Sequence, residues 1–325
     1  MLRARRLNAA FRCAIALAAF APAPALAQAY PTKPIRMIVA QAPGGPTDIV
    51  ARIYATKLSE FLGQQIVVDN RVGAGGTIAG EIVAAAPADG YTLCVMANGT
   101  AAVAPHFIRV TYNVNTHFAP VALIGDSPLA LMVNPKLPAT SLQELIALAK
   151  AKPGAINFGS SGQGSTGQLS AELFRMMAGI TLTHVPYKGA APALVAVTSG
   201  EIQMLVSALS SAMPFIKSGQ VRALGVTGAT RIPALPDVPA IGEVVTGYEA
   251  NSWYAVFTRV GTPRAIIDKL NRESARVVHS PDVRAKLVAA SVEPIVLTPE
   301  QVGEKIRRDY ERWGKVVKTL GIKAQ

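Results

Sequence analysis

The residue types in this chain best able to do chemistry sit in three loops rich in glycine and hydroxyls. They are Pro43-Gly44-Gly45-Pro46-Thr47-Asp48, Gly73-Ala74-Gly75-Gly76-Thr77 and Gly159-Ser160-Ser161-Gly162-Gln163-Gly164-Ser165-Thr166-Gly167. Each follows an apolar run of strand length and opens a stretch of helical periodicity. Glycines leave backbone N–H groups uncovered, and the first turn of a helix adds free N–H groups and the positive end of its dipole. The chemistry on offer is capture of an anion by neutral donors. Any one such loop is also an ordinary strand-to-helix turn, with Thr47 or Asp48 as a cap. Three in one chain, two early and one later, favour an anion site.

The elements that must position these loops are written in the periodicity. Ile35 to Ala40 is a continuous, largely apolar run that predicts a buried strand, and Ile49, Ile53, Leu58, Phe61 and Leu62 recur at near-helical spacing. Further strands are predicted at 65–69, 91–96, 156–159, 181–185, 202–207, 221–227 and 253–257. Helices are predicted at 78–86, 142–151, 167–178, 190–199, 212–218, 263–278, 281–290 and 299–320. Prolines 263, 281 and 299 each follow a threonine or serine that could cap the helix. This alternation is parallel-type α/β architecture, twice over. The apolar stretch Phe118 to Val133, broken between Gly125 and Pro128, and the return near Ala250 divide it. Residues 28–125 plus 250–325 form one expected domain and 126–249 the other, with the two crossings as a hinge. Ligands of open α/β sheets bind beyond the carboxyl ends of strands, here across the cleft between domains.

Arg3, Arg5, Arg6 and Arg12 precede an apolar stretch from Cys13 to Leu26 that ends in Ala25-Leu26-Ala27. That is the pattern of a secretory signal peptide over residues 1–27, too short and too proline-broken for a membrane span; cleavage after Ala29 also fits. Of the 325 residues, 298 then remain, with 28 basic and 20 acidic side chains and a net charge of +8. The basic residues are scattered, which argues against a nucleic-acid partner. Only Cys94 survives cleavage, so no disulfide or cysteine metal site is expected, and the four histidines lack ligand spacing.

Six separated segments resemble the Bordetella uptake gene family, the periplasmic solute-binding proteins of tripartite tricarboxylate transporters. They are Tyr30-Pro31-Thr32-Lys33-Pro34-Ile35, Pro43 to Asp48, Asp69-Asn70-Arg71-Val72-Gly73-Ala74-Gly75-Gly76, Ala88-Asp89-Gly90-Tyr91-Thr92, His184-Val185-Pro186-Tyr187-Lys188-Gly189 and Ala234-Leu235-Pro236-Asp237-Val238-Pro239. The resemblance spans the mature chain in order. It implies a two-domain Venus-flytrap fold, a monomer, that closes on a small mono-, di- or aromatic carboxylate in the periplasm and delivers it to the permease subunits of a membrane transporter. A sensor that presents its bound state to a receptor such as a sensor kinase uses the same fold and stays open as an alternative.

The resemblance places the ligand carboxylate on the first-domain loops, at Pro43, Gly44, Gly45, Thr47, Asp48, Ala74 and Gly75, with Asp48 capping or orienting water because it would repel an anion. Ser161, Ser165, Thr166 and Tyr187 are expected from the second domain. Two departures stand out. Gln168 replaces a histidine common in the family, and Ser207-Ala208 replaces an acidic or amide pair. A small pocket of Ser207, Ala208 and Ser210 offers no counter-charge to an ammonium group, so an amino-acid ligand is disfavoured, although the remote end of the ligand could also meet water or Trp253. No cofactor, metal or catalytic residue is expected. Gly162-x-Gly164-x-x-Gly167 matches a dinucleotide fingerprint but lacks the acidic residue about 20 positions on. Neither Ser161 nor Ser165 has both glycines of a nucleophile elbow, and nothing marks Lys188 as a desolvated nucleophile.

Overall fold

Ile35 to Val39 forms a strand because its side chains can be buried on both faces, and all but Arg36 are fully buried. A computed structural model describes residues 30–319 other than 74, 75, 107, 163, 164 and 188. The expected signal peptide and the loop residues Ala74, Gly75, Gln163, Gly164 and Lys188 lie outside the described residues. From Pro34 onward the described chain forms one compact unit.

The first half runs β1 (Ile35–Val39), α1 (Pro46–Leu62), β2 (Ile66–Asn70), α2 (Thr77–Ala84), β3 (Thr92–Ala97), a π-helical turn (Gly99–Val103), α3 (Val114–His117) and β4 (Phe118–Ser127). Next come β5 (Leu129–Val133), α4 (Leu142–Ala151), β6 (Asn157–Ser160), α5 (Thr166–Met177), β7 (Thr183–Pro186), α6 (Ala190–Ser199), β8 (Met204–Ala208), α7 (Leu209–Lys217) and β9 (Arg222–Val226). The chain ends with β10 (Ser252–Arg259), α8 (Arg264–His279), α9 (Pro281–Ala289), β11 (Glu293–Pro294) and α10 (Pro299–Thr319). Of the three predicted helix caps only Thr298 acts as one. Its hydroxyl accepts from Gln301 N while its own N–H donates to Gln301 Oε1.

The strands form a six-stranded sheet in the order β11-β4-β10-β3-β1-β2 and a five-stranded sheet in the order β7-β6-β8-β5-β9. Both are mixed, which corrects a purely parallel reading. The helix-linked strands β1, β2 and β3, and likewise β6, β7 and β8, pair in parallel. β5 runs antiparallel to β8 and β9, and β10 runs antiparallel to β3 and β4. β5 enters from the other sheet directly after Pro128 and β10 after the irregular tract 227–251, neither by way of the crossover α-helix that a parallel connection needs. Pro128 alone separates β4 from β5, so the apolar stretch from Phe118 to Val133 is two strands in two sheets.

The two crossings lie side by side and are bonded to one another. Leu129 N donates to Thr227 Oγ1 at 2.8 Å, and Thr227 Oγ1 donates to Asn251 Oδ1 at 3.2 Å. Asn251 Nδ2 then reaches Asp126 Oδ2 at 3.3 Å. One apolar core, including Met96, Leu131, Phe158 and Trp253, runs through both sheets.

Candidate ligand-binding cleft

A cleft of about 920 Å³ lies where the carboxyl ends of the parallel strands of the two sheets meet. Its wall is assembled from the residues that follow β1 (Gln41, Pro46, Thr47), β2 (Val72, Gly73, Gly76), β3 (Gly99, Thr100), β6 (Ser161, Ser165, Thr166), β7 (Ala190) and the end of β8 (Ser207, Ala208). Ser127 and Leu129 at one crossing and Ser252 and Tyr254 at the other close the back. The openings of α1, α2, α5, α6 and α7 all contribute wall residues, so five helix N-termini, each the positive end of its helix, border one space. None of the described lining residues is charged. Gly167 makes this convergence possible, since a Cβ there would stand 2.3 Å from Val206 O and push α5 off β8.

Two wall residues, almost buried themselves, carry hydroxyls that no described residue engages. Thr47 is 4% exposed and Ser207 is 7% exposed. Neither hydroxyl has a hydrogen-bond partner among the described residues. They belong to different sheets, Thr47 to α1 beside the larger and Ser207 to β8 in the smaller. Both residues line the cleft, where their hydroxyls can donate to a bound acceptor.

The loop before α1 is held by its own carboxylate. Asp48 accepts from Gly44 N at 2.8 Å, Arg52 Nε at 2.9 Å and Asn70 Nδ2 at 2.8 Å. Burial raises the Asp48 pKa, but these hydrogen bonds outweigh it and hold the carboxyl below its ordinary value. The serine-rich loop in the other sheet is held by a histidine. Gln168 Nε2 lies 3.2 Å from His184 Nδ1, His184 Nε2 lies 2.7 Å from Ser160 Oγ, and Ser160 Oγ donates to Gly162 O at 3.0 Å. A donating Gln168 amide assigns the ring proton to Nε2, so the chain of donors runs from Gln168 to the loop backbone. His184 also stacks on Phe158 with centroids 4.9 Å apart, and burial lowers its pKa.

A family model described as "Tripartite tricarboxylate transporter family receptor" (TctC) matches residues 50–322. The chain belongs to this receptor family. It is similar to Protein BugT of Bordetella pertussis, with 38% identity over 324 residues and 98% of each chain covered. Among solved structures it resembles R. palustris Rpa4515 with adipate, at 39% identity and TM-score 0.73, covering 91% of this chain and 100% of that one. It also resembles MatC (Rpa3494) from Rhodopseudomonas palustris with bound malate, at 31% identity and TM-score 0.70, covering 89% and 100%. The two-domain periplasmic-binding-protein fold and the resemblance to Bordetella uptake gene proteins are thus both borne out. Family and fold are those of solute-binding proteins rather than enzymes. No helix among the described residues is long and apolar enough to cross a membrane.

The cleft of this TctC-family receptor brings together Thr47, Ser161, Ser165, Thr166, Ser207 and Ala208 of the residues singled out in the sequence. Ala74 and Gly75 lie outside the described residues. Pro43, Gly44, Gly45 and Asp48 shape the loop behind Thr47 and are not on the wall, because Gly44 N and the Asp48 carboxylate bond to each other. Tyr187 is not on the wall either, since its hydroxyl turns away to donate to Glu201 Oε1 at 2.8 Å. Ser210 sits one step into α7 and is exposed outside the cleft. Trp253 is fully buried, with its indole nitrogen on Asp309, and cannot meet a ligand in this structure.

Sequence reasoning missed Gln41, Thr100, Ser127, Ser252 and Tyr254. The last three sit at the two crossings, where strand direction rather than a loop motif brings them to the cleft. His184, which carries no ligand spacing in the sequence, is half-buried in the loop network.

Proposed function

We propose that this chain is a periplasmic solute-binding protein that captures a small carboxylate and delivers it to the membrane subunits of a tripartite tricarboxylate transporter. The observation that carries this reading is the convergence of five helix N-termini on a cleft whose described wall residues include hydroxyls and no charge. Such a site suits an anion and disfavours an ammonium group, which would find no counter-charge on it. Adipate and malate in similar receptors support a carboxylate, and the apolar side chains of Val72, Val103 and Leu129 between the hydroxyls suit an aliphatic or aromatic body.

In this reading residues 1–27 direct export, residues 28–125 with 250–325 form one lobe, and 126–249 form the other. Thr47 on one lobe and Ser207 with Ser161, Ser165 and Thr166 on the other close on the ligand, while Ala74 and Gly75 complete the first-lobe loop. The paired crossings at Ser127–Leu129 and Thr227–Asn251 serve as the hinge. Ligand favours closure only to the extent that it binds the closed form better.

The test is a thermal-shift and calorimetric screen of ligand-free mature protein against adipate, malate, benzoate, glutamate and NAD. At 100 times its dissociation constant a ligand adds about 2.7 kcal/mol, several degrees in the melting midpoint. Stabilisation by carboxylates without an amino group is expected. Stabilisation by glutamate or NAD alone would remove the reading.

A further inference from the structure

The α1 opening is already occupied. Thr47 N, the amide best placed to meet an anion at the start of this helix, donates to Gln41 Oε1 at 2.7 Å. The Gln41 side chain reaches it by lying across Gly45, where a Cβ would stand 2.6 Å from Gln41 Cδ. The backbone of Gln41 is anchored, because its carbonyl accepts from Asn70 Nδ2 at 2.8 Å. The side chain itself lines the cleft and is only half-buried, so it can turn about its own bonds without moving the loop. The neighbouring amides differ. Gly44 N is held by the buried, ion-paired Asp48 carboxylate and Gly45 N by Ala42 O at 3.1 Å.

We propose that Gln41 is a displaceable cap: an internal competitor that occupies the Thr47 amide in the empty receptor and yields it to the ligand carboxylate. The inference rests on the reading of the cleft as a carboxylate site. An amide oxygen is a weaker acceptor than a carboxylate, so an anion displaces it where a neutral carbonyl solute gains nothing by doing so. Gln41 therefore acts on specificity: it satisfies the helix opening when the receptor is empty and sets a threshold that only an anion passes. The hydroxyl of Thr47, idle beside the same amide, becomes the second donor to the arriving carboxylate. Affinity is lowered by what the cap contributes, which for one neutral hydrogen bond corresponds to a factor of about three to ten.

The experiment is calorimetric titration of adipate and malate into the mature receptor, its Gln41→Met variant and its Gln41→Glu variant. Gln41→Met keeps the side-chain length but removes the acceptor, and should bind about three- to tenfold more tightly. Gln41→Glu places a carboxylate of its own on the Thr47 amide, and should melt higher when empty and fail to bind either acid. Gln41→Ala, which also removes the acceptor, repeats the first measurement should methionine disturb the loop. Weaker binding by Gln41→Met and Gln41→Ala would mean that Gln41 grips the ligand directly, and unchanged binding that it is a bystander; either overturns the cap alone. No binding of any carboxylate by any form, wild type included, overturns the reading of the cleft and the cap with it.

Discussion

The indole nitrogen of Trp253 donates to Asp309 Oδ2 at 2.7 Å, joining the strand on which the chain re-enters the larger sheet to the C-terminal helix α10. Both residues are buried, Trp253 fully. This bond sits beside the crossings rather than in the cleft. Trp253→Phe removes the donor, leaves a buried carboxylate short of a partner and opens a small cavity. Together these should cost about 2–4 kcal/mol in urea unfolding, while carboxylate affinity of the folded receptor stays within a factor of two. A loss of affinity with no loss of stability would place Trp253 at the ligand after all.

Lys305 is the counter-charge for three carboxylates around the same crossings. Its amine stands 3.3 Å from Glu249 Oε1 and 3.7 Å from Asp126 Oδ1. Burial pushes the Asp126 and Asp309 carboxyls up, and Lys305 draws both back. Lys305→Met should cost on the order of 3–5 kcal/mol. A carboxyl whose folded pKa lies above its ordinary 3.8 favours folding below that value and loses this contribution as pH rises through the folded pKa. Removing the amine raises both carboxyls further, so the stability gap to wild type should narrow as pH falls from about 7.5 to about 4.5. A gap independent of pH would show that the amine does not act on these acids.

His184 gives a dependence of the opposite sense. Burial lowers its pKa below the ordinary 6.5. Above that value the imidazole is neutral in folded and unfolded chains alike; below it the unfolded chain takes up the proton first, and folding is progressively disfavoured until the folded pKa is passed. The advantage of wild type over His184→Asn in chemical unfolding should therefore shrink as pH drops from about 7.5 to about 5.5. The loop from Ser160 to Gly162 should lose amide-exchange protection over the same range.

The idle hydroxyls allow a test with little structural disturbance. Thr47→Val keeps shape and removes a donor that has no partner in the empty receptor, so the melting midpoint should hold while carboxylate affinity falls about tenfold. Ser207→Asp puts a negative charge on a wall whose described residues carry none, and should weaken adipate or malate by on the order of a hundredfold. If both variants bind as wild type does, the ligand lies elsewhere.

Much of the fold is legible in the sequence because local signals decide it. α4 and α6 occupy 142–151 and 190–199 as periodicity predicts, and β1 falls within one residue of its expected end. Strand direction is not legible. An apolar run such as Leu129–Val133 reads the same in a parallel or an antiparallel sheet, and only its direct entry after Pro128 fixes the choice. The site shows the same division. Thr47, Ser165 and Thr166 announce themselves by following glycines at helix openings, whereas Ser252 and Tyr254 look like any strand residues. Gln41 carries no signal at all, since its contact with Thr47 arises from the backward fold of six residues.

That the described wall residues carry no charge has a consequence for letting go. A full charge attracts across many ångströms, but the field of a helix end fades within about a turn and a hydrogen bond fails within about an ångström of its optimum. A receptor that grips an anion this way holds it firmly only while the two sets of loops are close together. Once the loops part, only the diffuse field of the net positive chain acts on the cargo, and that is screened by salt within about 10 Å. In the proposed role of handing a ligand on, a short-range grip makes departure as simple as separation.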